Sequence, residues 1–121
     1  MRKLLWLDDI RNPFLDDWLL KYVPEFSDKT EDVTWVKNFN EFKNYIEING
    51  IPTHISFDHD IASYDDSGNE LTGYDALKFV LDYVLDNNLE VPKICIHSAN
   101  PIGAKNIESY YNNFIKFYKR N

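Results

Sequence analysis

Four short apolar runs, each followed by a segment of helical periodicity, constrain this chain more than any other feature. The runs are Lys3–Leu7, Asp32–Val36, His54–Phe57 and Pro92–His97. Each has the length of a strand, and Lys3–Leu7 is as continuously apolar as a strand buried on both faces. The segments after them place apolar residues on one helical side. Trp18, Leu19 and Tyr22 do so in Leu15–Tyr22, and Phe42, Tyr45, Ile46 and Ile48 in Glu41–Ile48. Ala76, Leu77, Phe79, Val80, Tyr83 and Val84 form a third such stripe, and Gly103–Tyr118 carries a fourth through Ile107, Tyr110, Tyr111, Phe114, Ile115 and Tyr118. Strands alternating with helices imply βαβ units and a parallel sheet. The expected architecture is a three-layer α/β/α sandwich in one domain, with a four-stranded parallel sheet of order 2-1-3-4.

Local punctuation supports these boundaries. Pro13 disfavours helix at Asn12, and Pro24–Glu31 reads as loop. Asn38 or Asn40 is the expected N-cap of the second helix. Asn49-Gly50 ends that helix, because glycine reaches a left-handed terminal conformation. Thr72 with Asp75 three positions on is a capping-box pattern, and Asn87-Asn88 closes the helix it opens. Between them, Asp58–Leu71 is a long polar loop, of the kind that in compact domains is usually functional.

Composition narrows the class. Of the 121 residues, 44% are hydrophobic and 16% aromatic, which excludes a disordered chain and allows a sizeable core. The net charge of −7 argues against a broad surface for duplex nucleic acid. No run approaches the roughly 18 apolar residues of a membrane span. No signal peptide is read at the start, where two aspartates soon interrupt the apolar residues. Cys95, the sole cysteine, lies in an apolar run and is expected to be a small buried hydrophobe. A cytoplasmic protein is the expectation.

The strand ends carry the chemistry. Lys3–Leu7 ends in Asp8-Asp9, His54–Phe57 in Asp58-His59-Asp60, and Ile94–Ile96 in His97-Ser98. Parallel strands finish on one edge, and open α/β sheets bind ligands in the crevice outside that edge. An aspartate pair in a loop is by itself an ordinary solvated pair. Four carboxylates meeting at one rim are costly without a positive ion, and hard oxygen donors suit Mg²⁺ or Mn²⁺. Asp58 is the candidate for direct contact with a metal or a reacting phosphorus, and Asp60 for acid or base work. His59 is a further candidate for handling protons, its alternative being a packing or hydrated residue, since it faces elsewhere if the chain stays extended. His97 has the intrinsic pKa of a general acid or base, its alternative being an exposed residue at the sheet edge. Ser98 offers a hydroxyl to a phosphoryl oxygen. Asn100 precedes the last helix, whose amides at Gly103 and Ala104 are candidates for anion binding. Lys105 and Arg11 are candidate phosphate clamps, and Arg11 is alternatively the ion-pair partner of the acids. His54 begins its strand at the opposite edge and is read as structural. Glycine-rich phosphate loops, dinucleotide fingerprints and zinc spacings are absent from the sequence.

Leu7-Asp8-Asp9-Ile10-Arg11, Phe57-Asp58-His59-Asp60, Thr72-Gly73-Tyr74-Asp75 and His97-Ser98-Ala99-Asn100 with Gly103-Ala104 together resemble the cyclic-phosphate processing receiver domains of bacteria and phages, over nearly the whole chain. More distantly the pattern is similar to two-component receiver domains, which have a flavodoxin-like fold. By that resemblance Asp8 and Asp9 are metal ligands, Asp58 the phosphoacceptor-like carboxylate and Ser98 the phosphate-contacting hydroxyl. The chain departs from ordinary receivers in lacking a clear fifth strand with its lysine, in adding His59 and Asp60, and in placing His97 beside Ser98. These departures favour turnover over phosphorelay. The resemblance implies a metal-dependent phosphoesterase acting on a cyclic phosphate, a nucleotide or an RNA end. Attack would come from Asp58 or from water. The rival expectations are a receiver-like module that binds a partner protein through loop 58–71, and a sensor of cyclic nucleotides.

Overall fold

The computed structural model describes residues 1–118. The described residues form six strands, β1 (Leu4–Leu7), β2 (Val33–Val36), β3 (His54–Phe57), β4 (Ser63–Tyr64), β5 (Glu70–Leu71) and β6 (Lys93–Ile96). Four α-helices accompany them, α1 (Trp18–Tyr22), α2 (Phe39–Asn49), α3 (Gly73–Asn87) and α4 (Pro101–Phe117). The central sheet is parallel, in the order β2-β1-β3-β6. This is the expected 2-1-3-4 order, renumbered because β4 and β5 pair as a separate antiparallel ribbon.

β1 sits between two partners and is buried along its whole length, which is why its residues are apolar without alternation. Successive side chains point to opposite faces, so the strand feeds two cores. Leu5 and Leu7 join Ile55 and Phe57 of β3 against Phe42 and Ile46 of α2, Leu77, Val80 and Leu81 of α3, and Ile107 of α4. Leu4 and Trp6 face the other way, onto Leu19 and Val23 at α1 and onto Phe26. Each such side chain, fully buried, contributes roughly 1.5–3 kcal/mol. Together the helices make the receiver-like three-layer arrangement. No described helix is long and apolar enough to cross a membrane.

Register sets up the site. Leu7 lies opposite both Val36 and Phe57, and Phe57 opposite Ile96. The strands therefore end level, and three further ladder bonds extend them by one residue: Asp8 N to Val36 O, Asp58 N to Leu7 O and His97 N to Phe57 O, at 3.0–3.1 Å. Asp8, Asp58 and His97 are thereby brought side by side.

The helix starts follow their caps. Asn38, rather than Asn40, caps α2 by accepting from Glu41 N at 2.8 Å, so the helix begins earlier than Glu41. Thr72 and Asp75 form the full capping box of α3, and Asn88 closes it in the left-handed region. Asn100 caps α4, which starts at Pro101 rather than Gly103.

Several expectations are corrected. α1 begins at Trp18, not Leu15, because Asp16 and Asp17 adopt positive φ values of 55° and 57°, which a right-handed helix does not contain. Pro24–Glu31 is not plain loop: single 3-10 turns occupy Pro24–Phe26 and Thr30–Asp32. Ile48 and Ile115 are exposed and leave the apolar stripes of α2 and α4. Cys95 is half-buried, its thiol donating to the carbonyl of Tyr22 at 3.1 Å.

Candidate functional site

The level strand ends open into a cleft of about 420 Å³, lined by Asp8, Asp9, Arg11, Asp58, Asp60 and Ala99 together with Ile10, Ala62, Tyr64 and Glu70. At its base, one carboxylate oxygen from each of Asp8, Asp9 and Asp58 lies within 4.8 Å of the other two. Asp8 and Asp58 are buried, and Asp9 is half-buried. Three convergent hard oxygen donors with low exposure fit a divalent cation, so this cluster can hold a metal ion.

Asp8 is held from every side. Its Oδ1 accepts from the backbone amides of Ile10 and Arg11, both at 2.9 Å. Its Oδ2 accepts from Arg11 Nη1 at 3.2 Å and contacts His97 Nε2 at 3.1 Å. Burial alone would raise its pKa, but His97 and the two amides outweigh that and hold it below the usual carboxylate value. Two indoles fix the loop behind it: Trp6 Nε1 donates to Arg11 O, and Trp35 Nε1 to Asp8 O. These tryptophans were not singled out in the sequence. The available signal was that a buried indole N–H needs an acceptor, and the loop after β1 supplies it.

Asp58 is the opposite case. Desolvation, followed by the charge of Asp8, pushes its pKa from 3.8 up to about 6, against the pull of Arg11. The nearest cation is Arg11 Nη1, 3.8 Å from Oδ1. Arg11 is the only basic side chain lining the cleft among the described residues, and its guanidinium also rests 5.3 Å from the centroid of the Trp18 ring. It is the ion-pair partner of the acids in this structure.

The other expected site residues divide. Asp60 lines the cleft, its carboxylate held by His59 Nδ1 at 2.8 Å and Asn100 Nδ2 at 3.3 Å. His59 sits at a bend just past the end of β3, does not line the cleft, and lies against Gly103, where any Cβ would meet its ring. His97 is neither exposed nor open to a ligand. It is 1% exposed, stacks on Trp6 at 3.8 Å and contacts Ser56 Oγ through Nδ1 at 2.7 Å. Burial outweighs Asp8 and lowers its pKa, so the ring is neutral near pH 7. The partners assign Nε2–H as donor to Asp8 and Nδ1 as acceptor from Ser56. A general acid or base facing solution is therefore corrected to a buried support for Asp8.

The last helix is also corrected as an anion cradle. Asn100 already occupies the amides of Gly103, through its side chain, and Ala104, through its carbonyl. Ser98 Oγ accepts from Asn100 N at 3.0 Å, and Ala99 is the residue of that turn lining the cleft. Lys105 is exposed on α4 and does not line the cleft. The loop 58–71 is not structureless: the β4–β5 ribbon brings Tyr64 and Glu70 to the cleft wall. Its sequence signal was Asp65-Asp66-Ser67-Gly68, a turn between two short runs.

Comparison with known proteins agrees with this geometry. No match was found among curated proteins or solved structures. Residues 3–113 match the model of the cyclic-phosphate processing receiver domain, with the level strand ends and their acidic cluster inside the matched span. The chain belongs to the cyclic-phosphate processing receiver domain family.

Proposed function

We propose that this domain is a phosphoesterase that uses Mg²⁺ or Mn²⁺, held by Asp8, Asp9 and Asp58, to open a cyclic phosphate on a nucleotide or an RNA end in the cytoplasm. The observation that carries the reading is the trio of carboxylate oxygens within 4.8 Å of one another at the base of a cleft large enough for a small ligand. A divalent cation there would polarise a phosphoryl oxygen and offset the charge that develops in phosphoryl transfer.

The chain's own groups supply the rest. All four acceptor positions of the Asp8 carboxylate are taken, one pair by amides and the other by Arg11 and His97. With a cation held by the three carboxylates, Arg11 would no longer be needed as their ion-pair partner, and its planar guanidinium would be free to meet the phosphate oxygens. Asp58 stands as nucleophile toward phosphorus or as orienter of an attacking water. Ring opening breaks one P–O ester bond and forms one P–O bond to the attacking oxygen. With water as the attacker, Asp60 takes up the proton released and returns it to the leaving alkoxide, His59 and Asn100 fixing its carboxylate. With Asp58 as the attacker, the alkoxide takes its proton from solvent and a water then hydrolyses the aspartyl phosphate.

The test is a panel of cyclic and linear phosphoesters with Mg²⁺ or Mn²⁺, run on wild type and Asp58→Asn. Turnover of cyclic esters by wild type, lowered at least about a thousandfold in the variant, is expected. Binding without turnover would mark a sensor, and inertness to every ester a module for a partner protein.

A further inference from the structure

The acidic cleft has one wall of a different character. Tyr64 and Ile10 both line it, and they are 64% and 81% exposed. Neither belongs to either core cluster. Tyr64 is carried on a strand only two residues long, paired in register with Glu70. It also lines a second cavity that contains Asn40, Lys43, Asp65 and Asp66. A large aromatic face left in water beside buried carboxylates is a platform, not a packing element.

Resting on the phosphoesterase reading above, we infer that the ligand's phosphate carries a nucleoside, whose base stacks on Tyr64 at the mouth of the cleft. Every base offers a π-face, and stacking on an aromatic side chain tolerates different bases. The charges around the platform select further. Glu70 repels a second phosphate on that side and accepts hydrogen bonds from a ribose hydroxyl or an exocyclic amine. Beyond Tyr64 the second cavity sets Asp65 and Asp66 against the single cation Lys43, so additional backbone phosphates would meet net negative charge there. The free nucleotide, with one phosphate and a neutral remainder, fits this wall better than the end of an RNA strand.

Isothermal titration in Mg²⁺ separates the parts. Adenosine 2′,3′-cyclic phosphate and glycerol 1,2-cyclic phosphate carry the same phosphate ring, and only the first has a base. Tyr64→Ala should weaken the adenosine ligand about tenfold and leave the glycerol ligand unchanged, while Tyr64→Phe keeps wild-type affinity for both. Circular dichroism of the variants checks that the ribbon change leaves the fold intact. Equal affinity of wild type for both ligands, or an equal loss for both in Tyr64→Ala, overturns the platform while leaving the phosphate reading standing. Failure of wild type to bind either ligand overturns both. A trinucleotide bearing the cyclic phosphate at its 3′ end should bind more weakly than the free nucleotide, and tighter binding overturns the assignment to the free nucleotide.

Discussion

The two rims of the central sheet are made from similar residue types and have opposite electrostatics. At the amino-terminal rim, Lys3 Nζ pairs with Asp32 at 3.0 Å and His54 Nε2 lies 3.8 Å from Glu25. Thr53 ties the strands together by accepting from Lys3 N and donating to Lys3 O. Lys3 thus meets an opposite charge within reach of water, while burial lowers the pKa of His54 and leaves a neutral ring beside Glu25. At the carboxyl-terminal rim, Asp8, Asp9 and Asp58 converge, and among the described residues Arg11 is the one cationic side chain paired with them. One rim is balanced and closes the sheet. The other is left short of positive charge, which is the electrostatic condition a bound cation would relieve. Sheet direction decides which is which, since level carboxyl ends gather the residues that follow the strands.

Three experiments test that contrast, beginning with the largest effect. Asp58 has its folded pKa raised to about 6 from 3.8. The folded state therefore holds this proton more tightly than the unfolded state. The resulting stability is present in full below about pH 4 and is lost as pH rises through about 6, a change of roughly 3 kcal/mol. In metal-free urea titrations, Asp58→Asn should remove that part of the pH dependence. Parallel wild-type and variant profiles between pH 4 and 7.5 would show that Asp58 carries no such penalty.

Metal should act only on the deficient rim. At about 100 times its dissociation constant, Mg²⁺ or Mn²⁺ should add about 2.7 kcal/mol, on the order of 10 °C in melting temperature. Asp8→Asn with Asp9→Asn should abolish the rise, and a rise that survives would place the ion elsewhere. The smallest effect belongs to the balanced rim. Lys3→Met removes a partly exposed ion pair and should cost less than about 1 kcal/mol, with the metal-induced rise unaltered. A changed metal response in that variant would mean that the two rims communicate.

Much of this was legible in the chain, for identifiable reasons. Strand length, helical spacing and caps such as Thr72 with Asp75 are local signals, and they located most of the elements. The meeting of Asp8 with Asp58 followed from a parallel sheet, because strand ends in such a sheet are also its ligand edge. His97 was legible as a neighbour of that edge but not as a buried one. Its enclosure depends on Trp6 stacking from another strand, a tertiary fact with no local trace. The amides of Gly103 and Ala104 are a different case: Asn100, three and four residues back, takes them as the helix cap, and asparagine before a helix is a local signal of that. Asp16 and Asp17 show the reverse failure: apolar spacing extended a helix through residues whose backbone turns the other way.

Gly73 gives the ribbon's architecture a practical meaning. Its amide donates to His59 O at 2.8 Å, and any Cβ there would strike the carbonyl of Asp58. The chain thus leaves the sheet after Asp58, runs out through β4 and β5, and is pinched shut at its neck before α3 begins. A segment closed at its base is interchangeable: its length and side chains can be altered while the carboxylate seat stays where it is. On the reading proposed above, ligand choice and metal chemistry are separable parts, and new specificities can be grafted onto residues 64–70, outside the buried Ile61 and Ser63, without rebuilding the centre they serve.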